Sequence, residues 1–334
     1  MYHIGIIHDV EHQSPKGVLR WAYATRSHCL QKYAPPDFTV DRYSDDDTHK
    51  GWRQFNGYDL LFVLDYALAG SYVGHARSAG FSGPIVVSFN KDHRSRHKEW
   101  IETLRVADFV VVNNVDRFLQ GGIHPRTCCI SNGLDLDHWR VTTPFAERPE
   151  RAIWCGGTGV KKKKGYHDIL MPLKPMLEAE GIKCDFRPVT DITPDQVLTP
   201  DEQLAWYNSA QYVLCASETE GTPGYLLEAM ACGCVPVSTY VGNVPEFALP
   251  QPPLVVQSRT PEAYRQAILS MRSHPVEDAQ YWSDIVAEET WMRWGYGPPA
   301  SRAAWFYALF RRLIDDGPEA VKPFIHWDVE PEGI

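Results

Sequence analysis

Short apolar runs alternate with amphipathic stretches along almost the whole chain, and this alternation restricts the folds that the chain can adopt. The runs that predict buried strands in the first part are HIGIIH (3–8), YDLLFVLDY (58–66), PIVVSF (84–89), ADFVVVNN (107–114) and TCCISNG (127–133). The stretches that predict helices lie between them, near 17–33, 70–80, 97–106 and 115–121. Continuous apolar strands separated by helices are typical of a doubly wound parallel sheet.

The same alternation starts again after the polar segment FAERPER (145–151). Strands are predicted at AIWCGG (152–157), CDFRPV (184–189), QYVLCAS (211–217) and VPVSTY (235–240). Further helices are predicted near 166–180, 201–209, 261–272 and 300–315. A second parallel sheet is the simplest explanation of this repeat of the pattern.

The length of the chain agrees with two domains, because 334 residues is about twice the ~150 residues of an ordinary domain. We predict an α/β fold with two Rossmann-like, doubly wound parallel-sheet domains that face a cleft. The N-terminal domain is predicted at 1–145 and the C-terminal domain at 146–295. Residues 296–334 are predicted to form a helix that packs back on the N-terminal domain, followed by a polar tail.

The composition is that of an ordinary globular protein, with 44% hydrophobic and 22% charged residues. The first residues, MYHIGIIHDVEHQ, do not have the pattern of a signal peptide, and no apolar run approaches the ~20 residues of a membrane span. The eight cysteines form no C-x-x-C pair, which favours reduced thiols over a disulfide or zinc framework. We therefore predict a cytoplasmic protein, with peripheral contact to a membrane left open.

The net charge of −9 makes nucleic acid and anionic membranes poor partners for the protein as a whole. The acidic surplus lies entirely in 150–334, so that the first part of the chain is neutral. A local basic surface remains compatible with this distribution.

The segment SETEGTPGYLLEAMACGCVPVSTYVGNVPE (217–246) contains a turn that opens a short apolar helix. Thr222 is predicted to cap the helix, with Pro223 at the first helical position, where its missing N–H has no cost. Gly233 is predicted to end the helix. This turn therefore presents free backbone N–H groups directly after a strand.

Free N–H groups and the helix dipole both attract an anion such as phosphate. Gly221 and Gly224 allow the backbone to approach such a ligand closely. Glu220 precedes the turn and Glu228 follows it, so that carboxylates are available for hydroxyl groups on both sides of the anion. A diphosphate with a polyol at each end is a nucleotide-sugar. Taken singly, each glutamate has the alternative of being a solvated charge at a helix end.

The same segment resembles the Glu-x7-Glu signature of the retaining glycosyltransferases of family 4, which have the GT-B fold of two Rossmann-like domains. The resemblance extends over about 84–250 and is specific in 217–246. It implies that Glu220 contacts the donor sugar and that Glu228 holds the ribose. It also implies that the sugar and diphosphate are held by backbone groups around the helix start, at Gly221, Thr222, Pro223, Gly224, Tyr225 and Leu226.

A second phosphate-binding loop is predicted at IWCGGTGVKKKKG (153–165), between a strand and a helix. It resembles the family pattern G-R-L-x-x-x-K-G, in which an arginine and a lysine neutralise the leaving diphosphate. Gly157, after Gly156, stands where the family has its arginine. Lys164 corresponds best to the family lysine, and the preceding lysines, from Lys161 onward, are candidates for the missing charge. The alternative is a solvated basic turn.

The acceptor side is expected in the N-terminal domain, where the chain is less like the family. The first loop offers Lys16 and Gly17 in place of a double glycine. Asn90 takes the position at which the family often has a histidine that lines the cleft, and the nearby His93 is a candidate substitute.

Basic and aromatic residues are concentrated in 13–36 and again in KDHRSRHK (91–98). A helix near 17–33 is predicted to bury Thr25 and Cys29 and to expose a basic face that includes Arg26. These clusters suggest an anionic acceptor, such as a lipid-linked glycan or a modified nucleic acid. An ordinary solvated face explains them equally well.

The resemblance implies a retaining glycosyltransferase that transfers a sugar from a nucleoside diphosphate to a hydroxyl acceptor. Glu220 would orient the sugar without acting as a nucleophile. We expect no cofactor. We also expect no metal, because no Asp-x-Asp motif near a strand end suggests a bound divalent ion, and DLDH (135–138) belongs to the linker. An epimerase or hydrolase of nucleotide-sugars with the same fold, and a non-catalytic nucleotide-sugar-binding protein, are the alternatives.

Overall fold

The computed structural model describes residues 1–8, 22–44, 55, 57–67, 69–90, 102–156, 163–188, 198–247, 255–298 and 300–334. These residues form two compact units. The first unit comprises the described residues up to Gly133 together with Tyr296–Ile334, and the second comprises those of Leu134–Gly295.

The strands are, in chain order, β1 Tyr2–His8, β2 Phe38–Ser44, β3 Leu60–Val63, β4 Ile85–Phe89, β5 Phe109–Val112, β6 Thr127–Cys129, β7 Arg151–Gly156, β8 Lys183–Pro188, β9 Tyr212–Cys215 and β10 Val235–Ser238. The main helices are α1 Ala22–Lys32, α2 Ala69–Ser78, α3 Val115–Leu119, α4 Met171–Ala179, α5 Pro200–Asn208, α6 Gly224–Ala231, α7 Pro261–Arg272, α8 Val276–Trp294 and α9 Arg302–Asp315. A π-helical turn, Tyr166–Leu170, leads into α4.

Both units are built on parallel sheets. The first sheet has the order β2-β1-β3-β4-β5-β6 and the second the order β10-β9-β7-β8, with every neighbouring pair parallel. The prediction of two doubly wound α/β domains is therefore confirmed. In such sheets the loops that follow the strands meet at one edge, where ligands bind.

Strands buried on both faces explain why the apolar runs are continuous. Ile6 packs into one core of the first unit and Ile7 into the core on the opposite face. Phe62 and Val63 are divided between the two cores in the same way. Successive side chains of a strand point to opposite faces, so both must be apolar when helices cover both.

Helix α9 belongs to the first unit although it comes late in the chain. The rings of Phe306 and Phe310 lie 5.8 and 5.3 Å from the ring of Phe62 in β3. The hydroxyl of Tyr307 donates to the carbonyl of Leu30 in α1, at 2.5 Å. The last helix thus completes the core on one face of the first sheet.

Arg148 attaches the beginning of the second unit to the ends of two helices. Its buried guanidinium donates from Nη1 to the carbonyl of Ala210 at 3.0 Å and from Nη2 to that of Cys232 at 2.7 Å. Nε donates to the carbonyl of Thr143 at 2.8 Å. A buried charge is tolerated when its donors are satisfied in this way.

Two elements were missed by the sequence analysis. Strand β2 lies at the edge of its sheet and alternates, with Val40 buried and Thr39 exposed, instead of being a continuous apolar run. Helix α8 buries Ser283 and Thr290 beside small residues such as Ala287, so its apolar stripe is weak. Both elements depend on tertiary contacts more than on local hydrophobicity.

The prediction that Arg26 lies on the exposed face of α1 was wrong. Arg26 is only 2% exposed, and its Nη1 donates to Ser88 Oγ at 2.6 Å. The guanidinium carbon lies 4.8 Å from the centre of the Phe306 ring. Thr25, predicted to be buried, is exposed. A guanidinium that stacks on a ring and finds acceptors can be buried where helical spacing alone predicts exposure.

Within the described ranges, no helix is long and apolar enough to cross a bilayer. All eight cysteines are free thiols.

Candidate functional site

Helix α6 begins at Gly224 and has no side-chain cap. The prediction that Thr222 caps it was wrong, because Thr222 Oγ1 donates to Asn243 Oδ1, at 2.6 Å, instead of accepting from the helix. Pro223 directly precedes the helix, with φ −76° and ψ 83°. The N–H of Leu226 donates to the carbonyl of Pro223 at 3.0 Å, so the first two N–H groups of the helix are those relevant to an anion.

The end of α6 agrees with the prediction. Gly233 has φ +77°, its N–H donates to the carbonyl of Met230 at 2.8 Å, and the N–H of Cys234 donates to that of Ala229 at 2.9 Å. This pair of hydrogen bonds is the Schellman arrangement, which needs a left-handed residue and therefore favours glycine.

The two predicted phosphate loops meet at Glu220. Lys164 Nζ lies 2.5 Å from Glu220 Oε1, and Ser217 Oγ donates to the same oxygen at 2.7 Å. The backbone adds a contact, because the N–H of Glu218 donates to the carbonyl of Lys163 at 2.7 Å. The Glu220 side chain is 8% exposed and that of Lys164 31%. A nearly buried carboxylate thus shares its oxygen between a cation and a hydroxyl.

Two glycines make this close approach of loops possible. Gly165 has φ +74°, and a Cβ placed on it would lie 2.3 Å from the carbonyl oxygen of Ala216. Gly242 has φ +53°, and its Cβ would lie 2.4 Å from the carbonyl oxygen of Gly221. Any side chain at either position would push one loop away from its neighbour.

Arg259, which was not predicted from the sequence, contacts the segments next to both loops. Its Nε donates to the carbonyl of Ala216 at 2.8 Å, and its Nη1 lies 2.8 Å from Asp168 Oδ2 and 3.4 Å from Glu218 Oε1. The guanidinium therefore faces two carboxylates. Arg259 follows Val255, which forms an isolated β-bridge with Ser238. No local sequence motif marks Arg259 for this role.

Glu228 is held by uncharged groups. Its Oε2 accepts from the hydroxyl of Tyr207 at 2.7 Å and from Gln203 Nε2 at 3.1 Å. Burial raises the pKa of the Glu228 carboxyl above its ordinary value, although the hydrogen bond from Tyr207 acts against this. Burial likewise raises the pKa of Tyr207 well above its ordinary value. Neither helper residue was predicted.

A comparison with protein families finds a match in the stretch of the chain that contains the two glutamates. Residues 182–274 match the family model of Glycosyl transferases group 1, and this range contains Glu220 and Glu228. No curated protein matches the chain significantly in sequence.

Known structures match nearly the whole chain. The sucrose-phosphate synthase of Thermosynechococcus elongatus aligns with a TM-score of 0.68 at 13% identity, over 95% of this chain and 100% of the other. The catalytic domain of Arabidopsis thaliana starch synthase IV, bound to ADP and acarbose, aligns with a TM-score of 0.66 at 12% identity, over 94% of this chain and 99% of the other. Anabaena HepE, in complex with UDP and glucose, aligns with a TM-score of 0.65 at 12% identity, over 92% of this chain and 100% of the other. The fold is the GT-B fold of glycosyltransferases.

The remaining residues that were predicted for the donor side are placed as follows. Gly156 is the last residue of β7, and a Cβ on it would lie 2.6 Å from Cζ2 of Trp154. The hydroxyl of Tyr225 donates to the carbonyl of Leu214 at 2.9 Å, so that its ring packs toward the sheet. Leu226 is fully buried in the core beneath α6.

On the proposed acceptor side of the GT-B fold, Asn90 follows β4 in the first unit. Its Oδ1 accepts from Ser88 Oγ at 3.1 Å and from Arg26 Nη1 at 3.3 Å. These contacts orient its amide group. The other predicted site residues lie outside the described residues, namely Lys16, Gly17, His93, Gly157 and Lys161.

Among the described residues, no group of three or more histidine, cysteine, aspartate or glutamate side chains is arranged to hold a metal ion.

The contact between the two loops leads to a prediction about Gly165. Replacing Gly165 by alanine is expected to lower donor affinity and turnover together, because the new Cβ would meet the Ala216 carbonyl oxygen at 2.3 Å. Gly181→Ala is the matched control, since Gly181 also has a positive φ, +84°, but nothing within 4 Å of its Cβ. Both variants lose about 1 kcal/mol of stability from the left-handed conformation. Equal activity of the two variants, measured by donor titration and thermal unfolding, would contradict the steric argument.

Proposed function

We propose that the chain is a retaining, metal-independent glycosyltransferase of family 4, which transfers a sugar from a nucleoside-diphosphate donor to a hydroxyl acceptor. The observation that supports this most is the contact of Lys164 with Glu220 at 2.5 Å, next to the start of α6. It joins the two segments that resemble the family. Two proteins of similar structure, Anabaena HepE in complex with UDP-glucose and TarM in complex with UDP, are consistent with this class of donor.

In this proposal the donor diphosphate lies at the N–H groups of Gly224 and Tyr225, where the positive end of the helix dipole stabilises an anion. Lys164 neutralises the charge that develops as the diphosphate leaves. An ammonium group has three donors, so Lys164 can hold Glu220 and a phosphate oxygen at the same time.

Glu220 is proposed to bind the hydroxyls of the transferred sugar and to stabilise positive charge near the reacting carbon. It is not proposed as a nucleophile, because the resemblance to the family implies that the acceptor hydroxyl itself attacks the reacting carbon. In the retaining reaction of this family, the acceptor attacks on the face from which the diphosphate leaves. The leaving phosphate then helps to remove the proton of the acceptor hydroxyl.

Lys164 is proposed for the role of the family lysine, and the charge of the missing family arginine is proposed to come from the preceding lysines, from Lys161 onward. Arg259 is a poor substitute, since its guanidinium is engaged by Asp168 and Glu218. It is better described as a residue that positions the loops on which Lys164 and Glu220 stand.

The acceptor is proposed to bind the first unit, beside Asn90. An anionic acceptor is proposed on the basic residues of 13–36 and 91–98, but Arg26 no longer contributes to such a surface because it is buried. Its charge instead lies behind the amide of Asn90, to which its Nη1 donates. The acceptor therefore meets, in this proposal, an oriented amide with a cation beneath it.

The first experiment is product analysis with UDP-, GDP- and ADP-sugars, each with and without a panel of hydroxyl acceptors. We expect transfer with retention of the anomeric configuration and no loss of activity with EDTA. Conversion of the donor without an acceptor would instead identify an epimerase or hydrolase, and binding without conversion a non-catalytic protein.

Lys164→Ala is expected to lower kcat by about 10²-fold or more, because a cation at the leaving group is removed. Lys174→Ala is the control, since the ammonium of Lys174 lies 3.8 Å from Glu178 on the surface of α4. Steady-state kinetics of both variants test the role. If Lys164→Ala turns over like the control, Lys164 is not the phosphate lysine.

A further inference from the structure

His138 has a buried ring nitrogen with no partner. Its Nε2 is buried and makes no hydrogen bond in the described part of the chain. His138 lies in the segment DLDHW at the beginning of the second unit, which the sequence analysis treated only as a linker. Buried polar groups are almost always hydrogen-bonded, so an orphan nitrogen in a binding domain calls for an explanation.

Aromatic contacts connect His138 with the nucleotide side of the site. Its ring centre lies 4.6 Å from that of Trp139, with an interplanar angle of 81°. The ring of Trp139 lies 5.5 Å from that of Tyr207. The hydroxyl of Tyr207 donates to Glu228 Oε2 at 2.7 Å. The imidazole is thus connected, through Trp139, with the tyrosine that holds the carboxylate.

His138 and Glu228 are also electrostatic neighbours. Burial is the main influence on the pKa of Glu228 and raises it, while the charge of His138 lowers it. This influence agrees with the ring contacts, which place Trp139, the neighbour of His138, against the tyrosine that donates to Glu228.

The two hydrogen bonds to Glu228 leave one of its oxygens for a ligand. Among the described residues, both donors to this carboxylate, Tyr207 and Gln203, go to Oε2. Oε1 is therefore the oxygen available to accept from a hydroxyl group. An acceptor oxygen and an imidazole nitrogen near each other suit a vicinal diol, because one hydroxyl can donate to the carboxylate while the imidazole bonds the next.

We propose that His138 is a nucleotide-binding residue that, together with Glu228 Oε1, binds the 2′,3′-diol of the donor ribose. This inference rests on the proposed function, since it assumes a nucleotide-sugar donor. It assigns a ligand to the orphan nitrogen and gives the edge-to-face contact of Trp139 with Tyr207 a positioning role. His138 binds the substrate and takes no part in the transfer of the sugar.

The chain contains a matched control for the aromatic contact. The ring of His274 lies 4.7 Å from that of Trp282 at an interplanar angle of 80°, nearly the same geometry as at His138. His274 differs in that its Nδ1 lies 4.0 Å from Asp278, and its side chain is exposed. Replacing it removes a histidine from a tryptophan edge without touching the site.

The experiment measures the binding of UDP and GDP to the full chain by calorimetry, for the wild type and for His138→Ala, His138→Phe and His274→Ala. The phenylalanine variant keeps an aromatic ring against Trp139 and so guards against a packing defect. We expect both His138 variants to weaken binding by about 10-fold, the usual size of one hydrogen bond to a ligand. His274→Ala is expected to bind like the wild type.

Deoxynucleotides then show which ligand atoms are involved. Removing either the 2′- or the 3′-hydroxyl of UDP is expected to weaken binding to the wild type. In His138→Phe, loss of the hydroxyl that the imidazole bonds is expected to have little further effect, whereas loss of the hydroxyl that donates to Glu228 Oε1 weakens binding as in the wild type. Such non-additivity is the sign of a direct interaction. If the loss of each hydroxyl adds in full to the effect of His138→Phe, or if His138→Phe binds like the wild type, His138 does not bind the ribose.

Glu228→Ala separates this inference from the function on which it rests. Weaker nucleotide binding in Glu228→Ala with normal binding in both His138 variants overturns only the role of His138. Unchanged binding in Glu228→Ala, or no binding of nucleotide to the wild type, overturns the nucleotide site itself and His138 with it.

Discussion

Glu220→Gln is expected to lower kcat for sugar transfer by about 10²–10³-fold while changing the affinity for the nucleotide by less than about 3-fold. Glutamine keeps the shape of the side chain but removes the negative charge that Lys164 and Ser217 now share at Oε1. The carboxylate would no longer stabilise positive charge at the reacting carbon, nor hold Lys164 in place. Both losses act mainly in the transition state.

Glu218→Gln is the control for this prediction. Glu218 is two residues away and its Oε1 lies 3.4 Å from Arg259, but its side chain is 48% exposed. The measurements are kcat and KM for donor and acceptor, with thermal unfolding to show that both variants are folded. A variant at Glu220 that raised KM for the donor without lowering kcat would assign this residue to ground-state binding instead.

The alternation of apolar runs was enough to predict the two sheets, because strands buried on both faces leave a continuous signal. Ile6 and Ile7, or Phe62 and Val63, are adjacent in sequence and are buried in different cores. Where one face is partly exposed, as in β2, the signal fades and the strand was missed.

The candidate site was predictable where a role depends on local sequence. Glu220, Glu228 and Lys164 stand next to glycine-containing turns that follow strands, and parallel sheets bring such turns to one edge. The contact of Lys164 with Glu220 joins residues that are 56 positions apart. Chain topology alone places the two loops on neighbouring strands, β7 and β9.

The supporting residues were not predictable, because their roles arise from tertiary contacts. Arg259 and Tyr207 belong to helices or loops that carry no motif, and each reaches the site through a single side chain. Thr222 has the right type and position for a helix cap, but the buried Asn243 competes for its hydroxyl. Local propensity gives way when a neighbouring chain segment offers a better partner.

The two glutamates are stabilised by different means, and this difference leads to the second prediction. Glu220 faces a cation, whereas Glu228 receives hydrogen bonds from the neutral groups of Tyr207 and Gln203. A partly buried carboxylate whose hydrogen-bond donors are neutral is less stable in its charged form, in agreement with the raised pKa of Glu228. Carboxyl groups with a pKa perturbed in this way are concentrated at functional sites.

Glu228→Gln is therefore expected to weaken nucleotide binding by about 10–100-fold, the range for a hydrogen bond to a charged group, while kcat at saturating donor changes little. The same variant is expected to unfold at a higher temperature at neutral pH. Because folding raises the pKa of this carboxyl, the folded state loses stability as the pH rises through the raised pKa. Glutamine has no proton to lose, so it escapes this cost.

The pH dependence distinguishes this explanation from a simple loss of packing. The stability advantage of Glu228→Gln should shrink as the pH falls, because the wild-type carboxyl then takes up its proton and becomes neutral as well. Nucleotide affinity of the wild type should fall more steeply over the same pH range than that of Glu228→Gln, because only the wild type has a carboxyl group at this position that can take up a proton. Calorimetric titration and thermal unfolding between neutral and acidic pH measure both quantities. A glutamine variant that is less stable than the wild type at every pH would show that Glu228 supports the fold, and its carboxylate would then need no ligand to explain it.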